Sequence, residues 1–136
     1  MKDSDKKQPH PSIQGTVVAG FPSPAEQYAE PPLDLNDFLV KHPTATYFMR
    51  VAGDSMEGAG ILPGDIIVVD RSRDAHNGSI VIAAVDGEFT VKYYRQDKDG
   101  LRLEAANPNY APIRPREGSE FDLFGVVTAV IRRVCS

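Results

Sequence analysis

From Thr46 onward, apolar residues fall into short runs that are separated by turn-forming residues. Runs of this length that are rich in β-branched and aromatic residues are typical of strands rather than helices. The predicted strands are residues 46–51, 66–69, 79–85, 88–94, 101–105 and a long final strand over 121–134. The pattern therefore predicts a mostly β fold of short strands and hairpins.

Two positions within this pattern predict its local geometry. Asp86 and Gly87 stand between the third and fourth predicted strands. Both residue types tolerate a positive φ, so an Asp-Gly pair between two apolar runs predicts a tight hairpin. Gly125 lies inside the last predicted strand, where a glycine indicates a bulge or a bend.

One short helix is predicted over residues 34–41, ahead of the strands. The apolar side chains among residues 35–39 share one helical face, and Asp34 can accept hydrogen bonds from the first-turn amides. His42 and Pro43 follow, and the residue before a proline disfavours the helical conformation.

The first 32 residues differ in composition from the rest of the chain. They contain six prolines, and proline at that density opposes helices and central strands alike. We therefore predict an extended N-terminal arm over residues 1–32 and a β-rich domain over residues 33–136. The arm contains one apolar segment, residues 17–21.

Composition narrows the classes of partner. The chain has 136 residues, a net charge of −4 and no block of Lys and Arg, so strong direct binding to nucleic acid is not expected. No stretch approaches the roughly 20 apolar residues that cross a bilayer. Cys135 is the single cysteine, which excludes an internal disulfide. We expect a cytoplasmic protein with no membrane association.

Ser55 raises the question of chemistry, because a serine in a glycine-rich turn can be either a turn residue or a nucleophile. As a nucleophile it needs a base. His10, His42 and His76 all lie in loop-like segments, and none has a setting that indicates a base. A Ser-His-Asp triad nevertheless stays open, because triads assemble in space.

Lys92 is the other possible base, since it lies in the middle of a predicted strand with aromatic neighbours. Alternation places Thr90, Lys92 and Tyr94 on one face. Neutralising an ordinary lysine at pH 7 costs about 4.6 kcal/mol. Burial can lower a lysine pKa by roughly 3–5 units, so a dry site could supply the shift. Strand context alone favours a surface lysine at a sheet edge.

The motifs taken together change this balance. Residues 53–56 (Gly-Asp-Ser-Met), Gly60-Ile61, Gly64-Asp65 and the segment 86–92 ending at Lys92 resemble the LexA/UmuD family of self-cleaving Ser-Lys proteases. The resemblance covers residues 17–134, and the 37 positions from Ser55 to Lys92 suit that family. It implies a peptidase domain of short twisted strands behind an extended arm.

The resemblance also implies the roles of individual residues. Ser55 would be the nucleophile and Lys92 the general base, with the backbone N–H groups of Ser55 and Asp54 as the oxyanion hole. Self-cleavage would fall between Ala19 and Gly20. The resemblance implies no cofactor and no metal.

The UmuD branch fits better than the repressors, because only nineteen residues precede the expected bond and leave no room for a helix-turn-helix domain. This branch implies an accessory subunit of an SOS-induced, error-prone translesion polymerase. The implied partners are a second copy of the chain, the RecA filament on single-stranded DNA and a UmuC-like catalytic subunit. Ala19 departs from the cysteine of the best-known UmuD but agrees with the Ala-Gly bond of LexA-like proteins.

Three alternatives remain open at this point. The chain could be a non-catalytic dimeric module that binds a polymerase or RecA, with Ser55 and Lys92 chemically idle. It could be a signal-peptidase-like Ser-Lys protease, against which the lack of an apolar anchor weighs. It could also be a truncated LexA-like repressor, which operator binding would reveal.

Overall fold

The computed structural model describes residues 10–25, 27–116 and 118–135, and the chain divides into two compact units, up to Leu39 and from Val40. The strands of the second unit are β1 (Thr46–Arg50), β2 (Ile66–Asp70), β3 (Ile80–Val85), β4 (Glu88–Asp97), β5 (Gly100–Glu104) and β6 (Phe121–Ile131). They pair antiparallel in one sheet with the order β1-β2-β6-β3-β4-β5. The predicted mostly β fold is confirmed.

The hairpin between β3 and β4 forms as its sequence predicts. Asp86 and Gly87 both have positive φ, 51° and 86°, and the flanking residues Val85 and Glu88 pair with each other. This is the geometry of a two-residue turn whose twist matches that of the strands. The turn fixes the register of β4, and therefore the side of the sheet to which each of its side chains points.

Gly125 occupies a bulge in β6. Ile82 pairs with Gly125 while the next residue, Ala83, pairs with Leu123, so β6 has one extra residue at this point. A Cβ atom at Gly125 would lie 2.8 Å from Cγ1 of Val69, closer than packed side chains approach. Glycine is needed here because β2 packs directly against the bulge.

The first unit contains the short helix α1 (Leu35–Leu39). The Asp34 carboxylate accepts hydrogen bonds from the amides of Asn36 and Asp37, at 3.0 and 3.4 Å, as predicted. The helix ends earlier than predicted, and it has no buried residue whose packing could extend it. In the part of the chain that the structure describes, no helix is long and apolar enough to span a membrane.

The rest of the first unit folds back on itself. Isolated antiparallel bridges join Ser12 to Pro32 and Gly15 to Gln27. The hydroxyls of Thr16 and Tyr28 lie 3.0 Å apart and add a link between the two sides. Residues 17–21, the apolar segment of the arm, therefore lie in the loop between the paired sides.

The core of the second unit consists of two apolar clusters. Alternation along β3 sends Ile82 to one face of the sheet and its neighbours Val81 and Ala83 to the other. The first cluster contains Val51, Met56, Ile61, Ile67, Val69 and Ile82, and the second contains Val81, Ala83 and Leu103. The first cluster includes residues on both sides of Ser55 in sequence, so it anchors the loop that holds this serine.

A buried carboxylate ties the start of β2 to the end of β6. Asp65 is 2% exposed and accepts two hydrogen bonds from Arg132, each 2.6 Å long, and one from the Leu62 amide. These hydrogen bonds, that from Arg132 first, lower the pKa of Asp65 to about 2. Paired in this way, the buried charge has the hydrogen bonds that it needs in the absence of water.

We expect Asp65→Asn to lower the melting temperature at pH 7. We also expect the melting temperature of this variant to decrease less than that of the wild type as the pH is lowered. A carboxyl with a lowered folded-state pKa stabilises the fold above its unfolded pKa of about 3.9, and this contribution disappears as the pH falls through the folded value. Circular dichroism melts between pH 7 and pH 2 measure the difference. Asp97→Asn is the control, because the Asp97–Arg102 ion pair lies at the surface. Equal effects of the two substitutions would contradict the prediction.

Candidate active site

A cleft of about 300 Å³ opens in the second unit and contains both Ser55 and Lys92. One wall is the stretch 49–55, which leads from β1 into the following loop, and the other is the stretch 89–92 of β4. Ile67, Ile82 and Tyr110 complete the lining. Ile67 and Ile82 make part of the lining apolar, and the cleft brings together residues that are far apart in sequence.

Ser55 lies on a loop that is held at both ends. Before it, the Val51 amide donates to the Asp65 carbonyl, and the Val51 carbonyl accepts from Gly64, both at 2.8 Å. After it, the side chain of Met56 is 1% exposed and packs in the first core cluster. The neighbour of a fully buried side chain has little freedom to move, so Met56 restrains the position of Ser55.

Lys92 reaches the Ser55 loop from strand β4. It lies on β4 opposite Val81 and is 7% exposed. Its Nζ donates to Ser55 Oγ at 2.9 Å, to Thr90 Oγ1 at 2.8 Å and to the Val91 carbonyl at 3.1 Å. The structure thus places in hydrogen-bond contact the two residues that the motifs singled out.

The surroundings of Lys92 favour its neutral form. All three of its hydrogen-bond acceptors are uncharged oxygens. No carboxylate forms an ion pair with it among the described residues. Burial without a counter-charge penalises the ammonium, and it lowers the pKa of Lys92 below that of an ordinary lysine. A larger fraction of Lys92 is therefore neutral at a given pH, and only the neutral amine can accept a proton from a hydroxyl.

Thr90 is a contact of Lys92 to which sequence reasoning gave no role. Alternation along β4 puts residues 90 and 92 on one face, and this was the available signal. The half-buried Thr90 hydroxyl accepts from Nζ and so restricts where the amine can point. Two further residues near the site, Asn107 and Tyr110, lie in a loop, where no periodic pattern could have indicated them.

The backbone amides beside Ser55 are open. Among the described residues, neither the Asp54 N–H nor the Ser55 N–H donates a hydrogen bond to a protein acceptor. Amides left unpaired next to a cleft nucleophile are what an oxyanion site requires, because they can donate to charge that develops on a substrate oxygen. The geometry is therefore compatible with the sequence-based expectation for these two amides.

The histidines of the chain lie elsewhere. None lines the cleft, and His42 Nδ1 lies 2.6 Å from Oδ2 of Asp70. The Ser72 hydroxyl donates to the other oxygen of that carboxylate, at 2.6 Å. This cluster has the residue types of a triad, but its serine bonds the carboxylate instead of the imidazole, so His42 is not placed as its base.

Side chains of the types that bind metal ions are scattered in the described part of the chain. Within the described ranges, no group of three or more His, Cys, Asp and Glu side chains is arranged to hold a metal ion. Cys135 is a free, exposed thiol in the last described residues. What the cleft offers is a hydroxyl and an amine in contact, beside two open amides.

The expected scissile residues, Ala19 and Gly20, lie in the first unit. They form part of a bend in the loop between Gly15 and Gln27. Val18 and Phe21, which flank them, are 52% and 92% exposed. A segment of this kind has no regular structure that must unfold before it can be bound as an extended chain.

A family model described as "Peptidase S24-like" matches residues 11–128 of this chain. The chain belongs to the peptidase S24-like family. The match extends from the first unit through all the residues that line the cleft. S24 membership identifies the chain as one of the LexA/UmuD-like serine peptidases, and the resemblance inferred from its motifs is confirmed.

Individual relatives of this S24 chain cover most of its length. Protein ImpA of Salmonella typhimurium is 42% identical over 130 residues, which make up 95% of this chain and 88% of that protein. Protein SamA of Salmonella typhimurium (strain LT2) is 48% identical over 118 residues, 87% of this chain and 81% of SamA. The LexA repressor of Xylella fastidiosa (strain M23) is 41% identical over 120 residues, 88% of this chain and 56% of the repressor.

Proposed function

We propose that this chain is a self-cleaving serine endopeptidase that cuts between its own Ala19 and Gly20, with Ser55 as nucleophile and Lys92 as general base. The observation that carries the proposal is the contact of 2.9 Å between Lys92 Nζ and Ser55 Oγ in the cleft. A buried lysine with a lowered pKa beside a serine hydroxyl is an arrangement that can activate the serine.

The first step forms an ester between Ser55 and the substrate. Neutral Lys92 accepts the proton of the Ser55 hydroxyl while Oγ forms a bond to the carbonyl carbon of Ala19. The carbonyl oxygen becomes negatively charged, and the amides of Ser55 and Asp54 donate to it. The C–N bond to Gly20 then breaks, and the ammonium of Lys92 returns its proton to the departing amine.

The second step regenerates the serine. Lys92, neutral again, takes a proton from a water molecule, whose oxygen adds to the ester carbonyl. The bond to Ser55 Oγ breaks, and the proton held by Lys92 goes to that oxygen. The products are a fragment ending at Ala19 and a chain beginning at Gly20, and the catalytic groups return to their starting state.

An unpaired strand edge beside the dyad supports an extended peptide as substrate. β4 pairs with β5 only from Tyr93 onward, so on that side Glu88–Lys92 has no strand partner among the described residues. Residues 89–92 of this stretch also line the cleft. A peptide can bind there by adding a strand, and the small side chains of Ala19 and Gly20 suit a narrow site.

The proposal extends to the biological role expected of the UmuD type. Cleavage would yield the active accessory form of an error-prone translesion polymerase in the SOS response to DNA damage. A RecA filament on single-stranded DNA would stimulate the reaction, and the trimmed chain would act as a homodimer with a UmuC-like catalytic subunit in the cytoplasm. The likeness to ImpA and SamA over most of the chain supports this branch of the family.

Intact-mass spectrometry of the purified chain over time tests the cleavage directly. The conditions are neutral pH, alkaline pH, and neutral pH with a RecA filament on single-stranded DNA. We expect two fragments whose masses place the cut between Ala19 and Gly20, appearing faster in the second and third conditions. A chain that stays uncut in all three would contradict the proposal and favour a binding module.

Ala19→Trp is expected to reduce cleavage by about 100-fold or more, because a bulky ring displaces the scissile carbonyl from Ser55. Ala25→Trp is the matched control, since it adds the same ring in the exposed arm beyond the proposed bond. The same mass assay measures both rates. If Ala19→Trp cuts as fast as the control, the bond lies elsewhere.

A further inference from the structure

The loop that follows β5 is bonded directly to the loop that carries Ser55. Asn107 Nδ2 donates to the Asp54 carbonyl at 2.9 Å, and the Tyr110 hydroxyl donates to the Asp54 carboxylate at 2.5 Å. The Ala106 amide donates to the Ser55 carbonyl at 2.8 Å. None of these contacts involves a reacting atom of the proposed mechanism, so their effect on the chemistry must be indirect.

The hydrogen bond from Asn107 restrains the peptide plane between Asp54 and Ser55. The Asp54 carbonyl also accepts from the Glu57 amide, but at 3.3 Å this bond is longer than the 2.9 Å bond from Asn107. The Asp54 carbonyl and the Ser55 N–H belong to the same planar peptide unit, and in a trans peptide the two groups point in opposite directions. All peptide bonds here are trans within the described residues. Holding the carbonyl of Asp54 on the side of Asn107 therefore aims the Ser55 N–H to the opposite side.

The next peptide plane is held in the same way. The Ser55 carbonyl, which belongs to the plane that Ser55 shares with Met56, accepts from the Ala106 amide. Both planes that flank the Cα of Ser55 are thus bonded to neighbouring residues of one loop. With φ and ψ of Ser55 both restrained, its Oγ and its N–H keep a fixed relation to each other.

The side chain of Asn107 is itself held in place by hydrogen bonds, so it can restrain the Asp54–Ser55 peptide. Its side chain is half-buried, its Oδ1 accepts from the Asn109 amide at 2.9 Å, and its carbonyl accepts from the Tyr110 amide at 3.1 Å. With an N–H group facing Oδ1 and a carbonyl facing Nδ2, the orientation of the side-chain amide is the one that the surrounding bonds require. Two backbone hydrogen bonds, exchanged between Leu103 and Ile113, close the base of the loop.

Gly58 shows that the two loops need close contact. Its amide donates to the Ala106 carbonyl at 2.8 Å, and a Cβ atom at this position would lie 2.7 Å from the same oxygen. Any other residue would push the loops apart at a point three residues from Ser55. The sequence thus has glycine at the point where the Ser55 loop comes closest to the loop that contains Asn107.

We propose that Asn107 is a positioning residue, which orients the Asp54–Ser55 peptide so that the Ser55 N–H can stabilise the oxyanion. The proposal rests on the proposed self-cleavage, and it assigns a role to a residue that touches neither the substrate nor the reacting atoms. In this proposal the side-chain Nδ2–H of Asn107 orients the peptide, and the bulk of the side chain alone does not.

Two substitutions separate these contributions. Asn107→Ala removes the donor and the bulk, whereas Asn107→Asp keeps the shape and the acceptor for Asn109 but replaces the donor by an oxygen. We expect both to slow self-cleavage about 10- to 100-fold, because misplacing one oxyanion donor costs rates of this order. Asn109→Ala is the matched control, as none of the described hydrogen bonds involves its side chain.

The pH profile of cleavage distinguishes positioning of the amide from a disturbance of the base. If Asn107 acts only on the Ser55 amide, Asn107→Ala lowers the rate equally at every pH and leaves the midpoint of the profile at its wild-type value. A shifted midpoint in Asn107→Ala, which adds no charge, would mean that Lys92 had been disturbed, and this overturns the proposal. Cleavage by Asn107→Asp at the wild-type rate would overturn it as well, since the bulk alone would then suffice.

The NMR signals of the Ser55 amide in the full chain test the positioning without cleavage. We expect altered chemical shifts of the Asp54 and Ser55 amides in Asn107→Ala, because the peptide between them is reoriented, and wild-type shifts in Asn109→Ala. Unchanged Ser55 signals in Asn107→Ala would overturn the inference even where the wild type cuts. If the wild type never cuts but Asn107→Ala shows the altered shifts, the proposed function is rejected, while the positioning of the Ser55 amide by Asn107 is retained.

Discussion

Ser55→Ala is expected to abolish self-cleavage while the protein stays folded. The substitution removes the oxygen that forms the bond to the Ala19 carbonyl. Among the residues that the structure describes, Thr90 is the one other residue whose hydroxyl contacts Lys92. Loss of the nucleophile in a serine protease lowers the rate by on the order of 10⁴-fold or more. In the intact-mass assay with a RecA filament on single-stranded DNA, Ser55→Ala should remain uncut for the whole time course.

The control for this experiment is Ser79→Ala. It removes one hydroxyl from the same unit, at a residue that does not line the cleft, and it is expected to cut like the wild type. Melting curves of both variants establish that they are folded. If Ser55→Ala still produces a fragment ending at Ala19, another group attacks the bond, and the role proposed for Ser55 is wrong. Thr90 would then be the next residue to replace.

The features of the sheet that the sequence predicts best are those determined by one or two adjacent residues. The turn at Asp86-Gly87 depends on two adjacent residues that tolerate positive φ, and the bulge at Gly125 on one residue without a side chain. By contrast, β4 runs three residues further than its apolar pattern indicates. Its polar end is held by pairing with β5 and by cross-strand ion pairs such as Arg95–Glu104, which hydrophobic alternation does not record.

The site shows the same division between local and distant causes. Ser55 and Lys92 could be singled out from linked motifs, but the burial that lowers the pKa of Lys92 depends on strands whose order the sequence does not give. Alternation along β4 places Thr90 on the face of Lys92 but assigns it no role. Asn107 lies in an irregular loop, and its contact with Asp54 spans 53 positions of the chain, so no spacing rule could have found it.

Replacing Lys92 is expected to stop cleavage as completely as replacing Ser55, and the choice of substitute tests the reason. Lys92→Ala removes the base. Lys92→Arg retains a positive charge and hydrogen-bond donors, but a guanidinium stays protonated at any working pH and cannot accept the serine proton. Both should be uncut at pH 7 in the mass assay. Lys98→Ala, which removes an exposed lysine between β4 and β5, is the control and should cut normally.

The pH dependence of the wild type tests the same residue without a substitution. Burial lowers the pKa of Lys92, and only the neutral amine can act as base, so the rate should rise with pH as the ammonium is lost. Below that pKa we expect about tenfold more cleavage for each pH unit, and above it a plateau. The midpoint should lie below the ordinary lysine value of about 10.4.

The outcomes of these two tests constrain each other. A rate that does not change up to about pH 10.4 would mean that Lys92 is not the titrating base. Cutting by Lys92→Arg would mean that the residue stabilises charge and does not transfer a proton. If the profile rises and Lys92→Arg is uncut, the lysine must be neutral when it acts. The burial of Lys92 among uncharged oxygens is then the feature that makes the serine reactive.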